Sequence, residues 1–409
     1  MTLNLEDKKI IKTADQTLSK YLLCDHCLGR VFAKIENELT NEDRGKTIRK
    51  HLKNHKKTAV EDCWLCSGLI DEIPHFVDLI LNALEDYEFD TFLVGSKIDE
   101  DILTNEEELL NFAGPEYSES IKTEINRETG KILEKKLGKE VNFENPTIMT
   151  VIDTSFDAVN LQISSLFIYG RYKKFRRDIP QTKWFCKICW GKGCKRCNYK
   201  GKLYDESVEE LVAKIFLDAA KGTDESFHGC GREDIDVRML GNGRPFVLEI
   251  LNPKKRKLDL PKITEKINFT NKDSIEIDNI RFSDRDEVNR LKAAGFRKKY
   301  RVILKGKNPI NNEKLKKAVQ ALRGKTINQL TPSRVAHRRA DMVRQKYIYN
   351  CNVESIDGAI AVLTVETESG TYIKELISGD AGRTKPSISE MVGVPCEVTE
   401  LDVIEVMGE

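Results

Sequence analysis

Eight of the eleven cysteines in this 409-residue chain fall into four C-x2-C pairs, and that spacing limits the fold before any other feature does. The pairs form two sets: Cys24, Cys27, Cys63 and Cys66 in "CDHC" and "CWLC", then Cys186, Cys189, Cys194 and Cys197 in "CKICWGKGCKRC". A C-x2-C turn places two thiolates on one side of a loop, and two such turns complete the tetrahedral sulfur set that zinc prefers. Each set is therefore expected to bind one structural zinc, with no coordination position left open for substrate. In the second set Gly191 and Gly193 let the chain reverse between the knuckles, as in a zinc-ribbon hairpin. The start "MTLNLEDKKIIKTADQ" is charged and no run of about twenty apolar residues follows, so the expectation is a soluble, cytoplasmic protein with no membrane partner. Thiols stay reduced there, which removes the disulfide reading of the pairs. Cys230, Cys351 and Cys396 lack a partner motif and read as buried small hydrophobes.

The hydrophobic pattern divides the chain further. Residues 5 to 60 read as polar amphipathic helices that need the metal knot, and Ile73 to Leu84 as a helix leading into a strand at "FDTFLVGSKI". Asp99 to Leu137 is helical and charged. "IMTVIDTSFDAVNLQISSLFIYGRY" then supplies strands with a turn near Asp157, giving an α/β module. After the second cysteine set come a helix at "DESVEELVAKIFLDAA", capped by Asp205 or Ser207, and strands at "EIDNIRFSD" and "KKYRVILKG". A helix at Asn312 to Leu322 and strands at Lys346 to Val353 and Ile360 to Glu368 follow. The expected domains are 1–72, a zinc-binding helical module; 73–180, the α/β module; and 181–409, with the second knuckle set inserted at 184–203.

A formal charge of +1 means that any nucleic-acid surface must come from local clusters. The candidates are Arg171, Lys173, Lys174, Arg176 and Arg177 in a basic and aromatic run, and Lys254, Lys255, Arg256 and Lys257. Two more lie at Arg297 to Tyr300 and at Arg334 to Arg344.

"GREDIDVRMLGNGRPF", "KKYRVILKG", "LTPSRVAHRRADMVR" and "ETESGTYIKELISGDAGRTKPS", in this order, resemble the archaeal-type tRNA pseudouridine synthases with a zinc-bearing THUMP-type accessory half. "CDHCLGR", "CWLCSGL", "FLVGSKI" and "RRDIPQTKW" extend the likeness over most of the chain. The resemblance implies an α+β fold: a mixed, mostly antiparallel catalytic sheet flanked by helices, preceded by an α/β THUMP-like module and zinc knuckles. It implies isomerisation of uridines 54 and 55 in the TΨC loop of tRNA, with no organic cofactor. The accessory half would grip the acceptor end, and a monomer is expected.

By the same resemblance Asp234, in "GRED", is the catalytic aspartate, acting at the sugar as nucleophile or base. Its bland alternative is an ion pair with Arg232 or Arg238 on a solvated strand. On a strand, Asp234 and Asp236 would share one face, leaving Asp236 to orient Arg238 or Lys374. Tyr300 is implied to stack on the flipped uracil, and Lys374 to pair with the aspartate where many relatives carry arginine. Arg244 and Tyr372 complete the substrate-binding set, with Ile373 and Leu376 packing beneath. Other THUMP-bearing modification enzymes need a glycine-rich nucleotide loop, and no G-x-G-x-x-G or Walker sequence occurs. A noncatalytic tRNA-binding protein would share the basic clusters but has no need of Asp234, Tyr300 and Lys374 together.

Overall fold

The computed structural model describes residues 4–52, 54–338 and 340–408. Met1 to Leu3 of the charged start and Arg339 of the basic cluster 334–344 therefore lie outside the described residues. The chain divides into two compact units, 1–164 and 165–409. No described helix is long and apolar enough to cross a membrane.

In the first unit, strand Thr91–Lys97 runs parallel to both neighbours, Glu140–Val141 and Ile148–Asp153, and Ala158–Ile163 closes the sheet antiparallel. Helix Ile73–Leu84 buries Ile73, Phe76, Val77, Ile80 and Leu84, one stripe at helical spacing. The charged stretch 99–137 is two helices, Glu100–Ala113 and Ile121–Leu137, because Gly114 ends the first with φ 91° and Ser120 caps the second through Thr123 N. One hydrophobic core joins Leu23, Leu28 and the first cysteine set to Phe76, Phe92, Ile125 and Ile152. The zinc-binding helical module expected over 1–72 thus shares its core with the α/β part. Helices Asp25–Arg30 and Asn41–Lys50 cross with touching backbones: a Cβ on Gly29 would sit 1.8 Å from Asn41 O.

The second unit is built on a ten-stranded sheet whose neighbours are antiparallel except at one seam, where Cys396–Val406 lies parallel to Arg238–Leu251 over two residue pairs. From that seam Lys298–Gly306, Ile360–Thr367, Val343–Asp357 and Lys325–Leu330 extend one way, and Leu166–Lys174 and Ile275–Ser283 the other. Helices such as Val208–Ala220, capped by Ser207 rather than Asp205, and Asn312–Leu322 flank it. The sheet is mixed and mostly antiparallel, as expected.

Leu166–Lys174 departs from the expected division at residue 180. It is an inner strand of the large sheet, between Arg238–Leu251 and Ile275–Ser283. Its partners lie about seventy or more residues further along the chain, which local pattern cannot reveal.

Candidate active site and metal centres

Asp234 stands on the loop between strands Asp224–Gly229 and Arg238–Leu251, beside the parallel seam. The run "EDIDVR" was expected to be a strand, but residues 232–237 form a loop with a turn at Ile235 and Asp236. Side chains beneath it hold that shape. Lys174, fully buried, donates from Nζ to Ile179 O at 3.0 Å and Ile235 O at 2.9 Å. Gln181 Nε2 donates to Gly231 O at 2.9 Å and to the Tyr172 hydroxyl at 2.8 Å. Arg177 donates to Asp236 O and Leu401 O, tying the loop to the seam.

Glu233, next to the candidate aspartate, points into the core. Its carboxylate accepts from Arg244 Nε at 2.9 Å and from the Tyr172 hydroxyl at 2.9 and 3.0 Å, while Arg244 Nη1 donates to Cys230 O at 2.8 Å. Burial disfavours the Arg244 charge, but Glu233 together with Tyr172, Tyr300 and Cys230 outweighs it and raises its pKa. Arg244, expected to bind substrate, is 1% exposed and braces the loop from below.

A cavity of about 270 Å³ opens over this loop, and Asp234, Tyr300, Lys374, Arg244 and Tyr372 all line it. Tyr300 comes from strand Lys298–Gly306 and is 8% exposed; burial pushes its phenol up to about 12, so the hydroxyl stays protonated. Lys374 comes from the short helix Ile373–Ser378, whose Ile373 and Leu376 are buried. Its ammonium lies 3.5 Å from Asp234 Oδ2 and donates to Asp236 at 2.7 and 2.9 Å. Arg334 approaches Asp234 more closely. Its Nη1 is 2.9 Å from Oδ2, and its Nε donates to Glu375 at 2.7 Å. Neither partner of the bland alternative pairs with Asp234: Arg232 lies 5.8 Å from the Trp184 ring centre, and Arg238 forks onto Asp402 at 2.8 and 2.9 Å.

Arg334 and Lys298 belong to this site but carry no local signal that separates them from other basic residues. Lys298 is 5% exposed and lines the cavity, donating to Ser369 Oγ at 3.1 Å and Phe296 O at 3.3 Å. No carboxylate pairs with it among the described residues. Burial, helped by the Arg244 charge, pushes its ammonium down to about 8.

These two buried cations should respond oppositely to removal. Arg244→Met leaves Glu233 charged and buried without its fork and is expected to cost roughly 3–5 kcal/mol. Lys298→Met removes an unpaired buried charge and is expected to stabilise the protein at pH 7 by an amount on the order of 2 kcal/mol. The unfolded chain holds the Lys298 proton more tightly, so wild-type stability rises with pH from about 8 towards the ordinary lysine value and the advantage of Lys298→Met fades there. Denaturant unfolding at pH 7 and pH 10 checks both. A destabilising Lys298→Met at pH 7 contradicts this account of the pocket.

The basic run 171–177, expected to face RNA, is largely absorbed by the sheet. Arg171 and Lys174 are buried because an inner strand has neighbours on both edges and packing on both faces. Arg171 Nη2 donates to Gly243 O at 2.9 Å and Val406 O at 3.2 Å. Lys173 pairs with Glu276, Arg176 with Asp178 and Glu206, and Arg177 with Glu400 and Asp402. Lys254, Lys255, Arg256 and Lys257 lie on the loop before helix Leu260–Thr270 and are not among the residues lining the cavity.

Both cysteine sets converge, each with its four sulfurs within 4.8 Å of one another. A tetrahedral sulfur site with Zn–S of about 2.3 Å has sulfur–sulfur edges near ~3.8 Å. Cys24 and Cys66 are 3.9 Å apart, and Cys186–Cys194 and Cys189–Cys197 are both 3.8 Å. Donors suited to thiolates surround them: Arg30 Nη2 reaches Cys27 Sγ at 3.3 Å, and Gly193 N and Gly201 N reach Cys189 and Cys197 at 3.2 Å. Both tetrads are compatible with zinc. The first is wholly buried; Cys189 and Cys194 of the second are half-buried.

Residues 167–407 match the family model described as "Pus10, C-terminal", and residues 76–153 match "Pus10 THUMP domain, archaeal". The protein named tRNA pseudouridine synthase Pus10 from Methanocaldococcus jannaschii is 41% identical over 430 residues, covering 96% of this chain and 93% of its own. The one from Pyrococcus furiosus is 39% identical over 405 residues, with 98% of each chain covered. Among solved structures, a Cbf5–Nop10–Gar1 complex aligns with 49% of this chain and 45% of its own at 18% identity and a TM-score of 0.31. By its family models and by full-length relatives near 40% identity, the chain belongs to the Pus10 family of tRNA pseudouridine synthases.

Proposed function

We propose that the protein isomerises uridines 54 and 55 in the TΨC loop of tRNA to pseudouridine, with Asp234 acting at the sugar. The observation that carries this reading is the placement of Asp234 in a cavity that Tyr300 also lines, held between Arg334 at 2.9 Å and Lys374 at 3.5 Å. A flipped uridine enters that cavity with its base against the Tyr300 ring. The C1′–N1 bond breaks, the base turns, C5 bonds to C1′, the C5 proton leaves and N1 takes up a proton. Asp234 serves either as the nucleophile that holds C1′ while the base turns or as the base that takes a sugar proton. Asp236 keeps Lys374 oriented. No organic cofactor enters this sequence.

The zinc reading belongs here too. Each cysteine tetrad holds one structural zinc, which would supply a fold cross-link and no reactive group. The THUMP-like part grips the acceptor end, while the outer faces of Lys173, Arg176 and Lys254 to Lys257 add phosphate contacts; burial removes Arg171 and Lys174 from that role. Transcribed tRNA carrying 5-tritiated uridine tests the activity, since each isomerisation frees one tritium to water. Release that disappears when only uridines 54 and 55 are replaced supports the assignment; tRNA binding with no release would make the protein a binder instead.

A further inference from the structure

Between Thr182 and Tyr204 the sequence has seven lysines and arginines and no acidic residue. This is the cysteine-rich ribbon of the second unit, rooted where Trp184 O accepts from Leu203 N at 2.8 Å and Phe185 bridges Lys202. Its outer surface is aromatic: Trp190 is 79% exposed, Tyr199 70% and Phe185 57%. Among the described residues none of these three rings packs on another aromatic ring or under a cation; Phe185 lies against Gly191, while Trp190 and Tyr199 are the more exposed. Ile188 and Leu203 are exposed beside them. Lys183, Lys200 and Lys202 are paired with Glu225, Asp205 and Glu210. Lys187, Lys192, Lys195 and Arg196 are exposed and, among the described residues, have no carboxylate partner.

Small metal-held ribbons have little core, which explains some exposure. It does not explain two rings as exposed as Trp190 and Tyr199 among four cations that have no carboxylate partner among the described residues. A protein partner with an apolar face would leave those cations uncompensated, whereas unpaired RNA supplies a flat base for each ring and a phosphate for each cation. The ribbon also stands next to the catalytic loop. Trp184 at its root lines, with Asp234, Asp236 and Arg334, a second cavity of about 210 Å³, and carries Arg232 over its ring.

We propose that the outer face of the 184–203 ribbon is an RNA-binding surface, which holds unpaired nucleotides of the same tRNA whose uridine enters the Asp234 cavity. Bases stack on Trp190 and Tyr199, and phosphates meet Lys195 and Arg196. The proposal rests on the tRNA reading above and adds a second contact to it.

The test uses the full-length protein with its metals, and zinc content is measured on every variant. Trp190→Ala is expected to raise the tRNA dissociation constant about tenfold, and Trp190→Phe to stay within about twofold of wild type, with tritium release at saturating tRNA unchanged in both. Lys195→Gln with Arg196→Gln is expected to reduce the slope of log affinity against log salt by roughly 1–2. Should Trp190→Ala lose zinc, the charge variant alone decides. Wild-type affinity and salt slope in these variants overturn the proposal while leaving the activity intact. A change in sedimentation mass without a change in tRNA affinity also overturns it and assigns the face to a second copy. Absence of tritium release by wild type is the separate failure of the tRNA reading itself.

Discussion

Asp234→Asn is expected to bind tRNA as wild type does and to release tritium roughly a thousandfold more slowly or worse, because the substitution keeps the shape but removes the charge that the proposed chemical step uses. Asp236 is two residues away and is the rival for the same role. The structure separates them by surroundings. Asp234 lines the cavity that Tyr300 shares and takes Arg334 at 2.9 Å, whereas Asp236 is absent from that lining and receives both close contacts of Lys374. Burial pushes the Asp236 carboxyl up, but the Lys374 bonds and charge outweigh it and hold it below its ordinary value. Asp236→Asn frees Lys374 rather than deleting a reacting group, so a loss of about tenfold is expected. An active Asp234→Asn beside a dead Asp236→Asn would move the chemistry to the second carboxylate.

The largest stability effect is expected from metal removal at the first tetrad. Wild type should carry about two zinc ions per chain. Chelation, or Cys27→Ser with Cys63→Ser, should unfold much of residues 1–164, since zinc in such sites stabilises by roughly 10 kcal/mol or more at neutral pH. All four cysteines lie inside the one core that also holds Phe76 and Phe92, so a void or repelling thiolates there act on the whole unit. Arg30 sharpens the dependence. It is fully buried between Cys27 Sγ, Glu124 at 2.7 Å and Glu106 at 3.7 Å, a setting balanced by a negatively charged thiolate cluster. Cys194→Ser with Cys197→Ser should halve the zinc and disturb only the ribbon. Circular dichroism with metal analysis distinguishes the two, and a first-site variant that keeps its helices after losing zinc would refute the structural role.

How much was legible in the sequence depended on the range of the interaction. Both cysteine tetrads, helix Ile73–Leu84 and strand Lys298–Gly306 have local signatures of spacing or period. The motifs also named Asp234, Tyr300, Lys374 and Tyr372, which the fold gathers around one cavity. "EDIDVR" misled because charged and apolar residues alternate there as on a strand, while buried Lys174 and Gln181 bend the backbone into a loop. The 171–177 run looked like an RNA patch because its partners, from Asn242 and Glu276 to Asp402, lie far along the chain. Arg334 sits one hundred residues from Asp234, and no periodicity connects them.

The parallel seam also sets a condition on how the molecule comes to be folded. Cys396–Val406 enters the middle of the sheet, not its edge, and the two halves of that sheet are joined through it. Asp402, from that strand, is gripped by Arg238 and by Arg177, which also holds the loop that carries Asp234. Contacts that span such long stretches of chain form late and slowly. During synthesis the first unit, whose core closes within residues 5–152, can therefore take up metal and fold while the second still lacks its central strand. Until residues 396–406 emerge, the growing chain presents two unjoined half-sheets with open edges, the stage at which pairing with another chain competes most strongly with completing the active site.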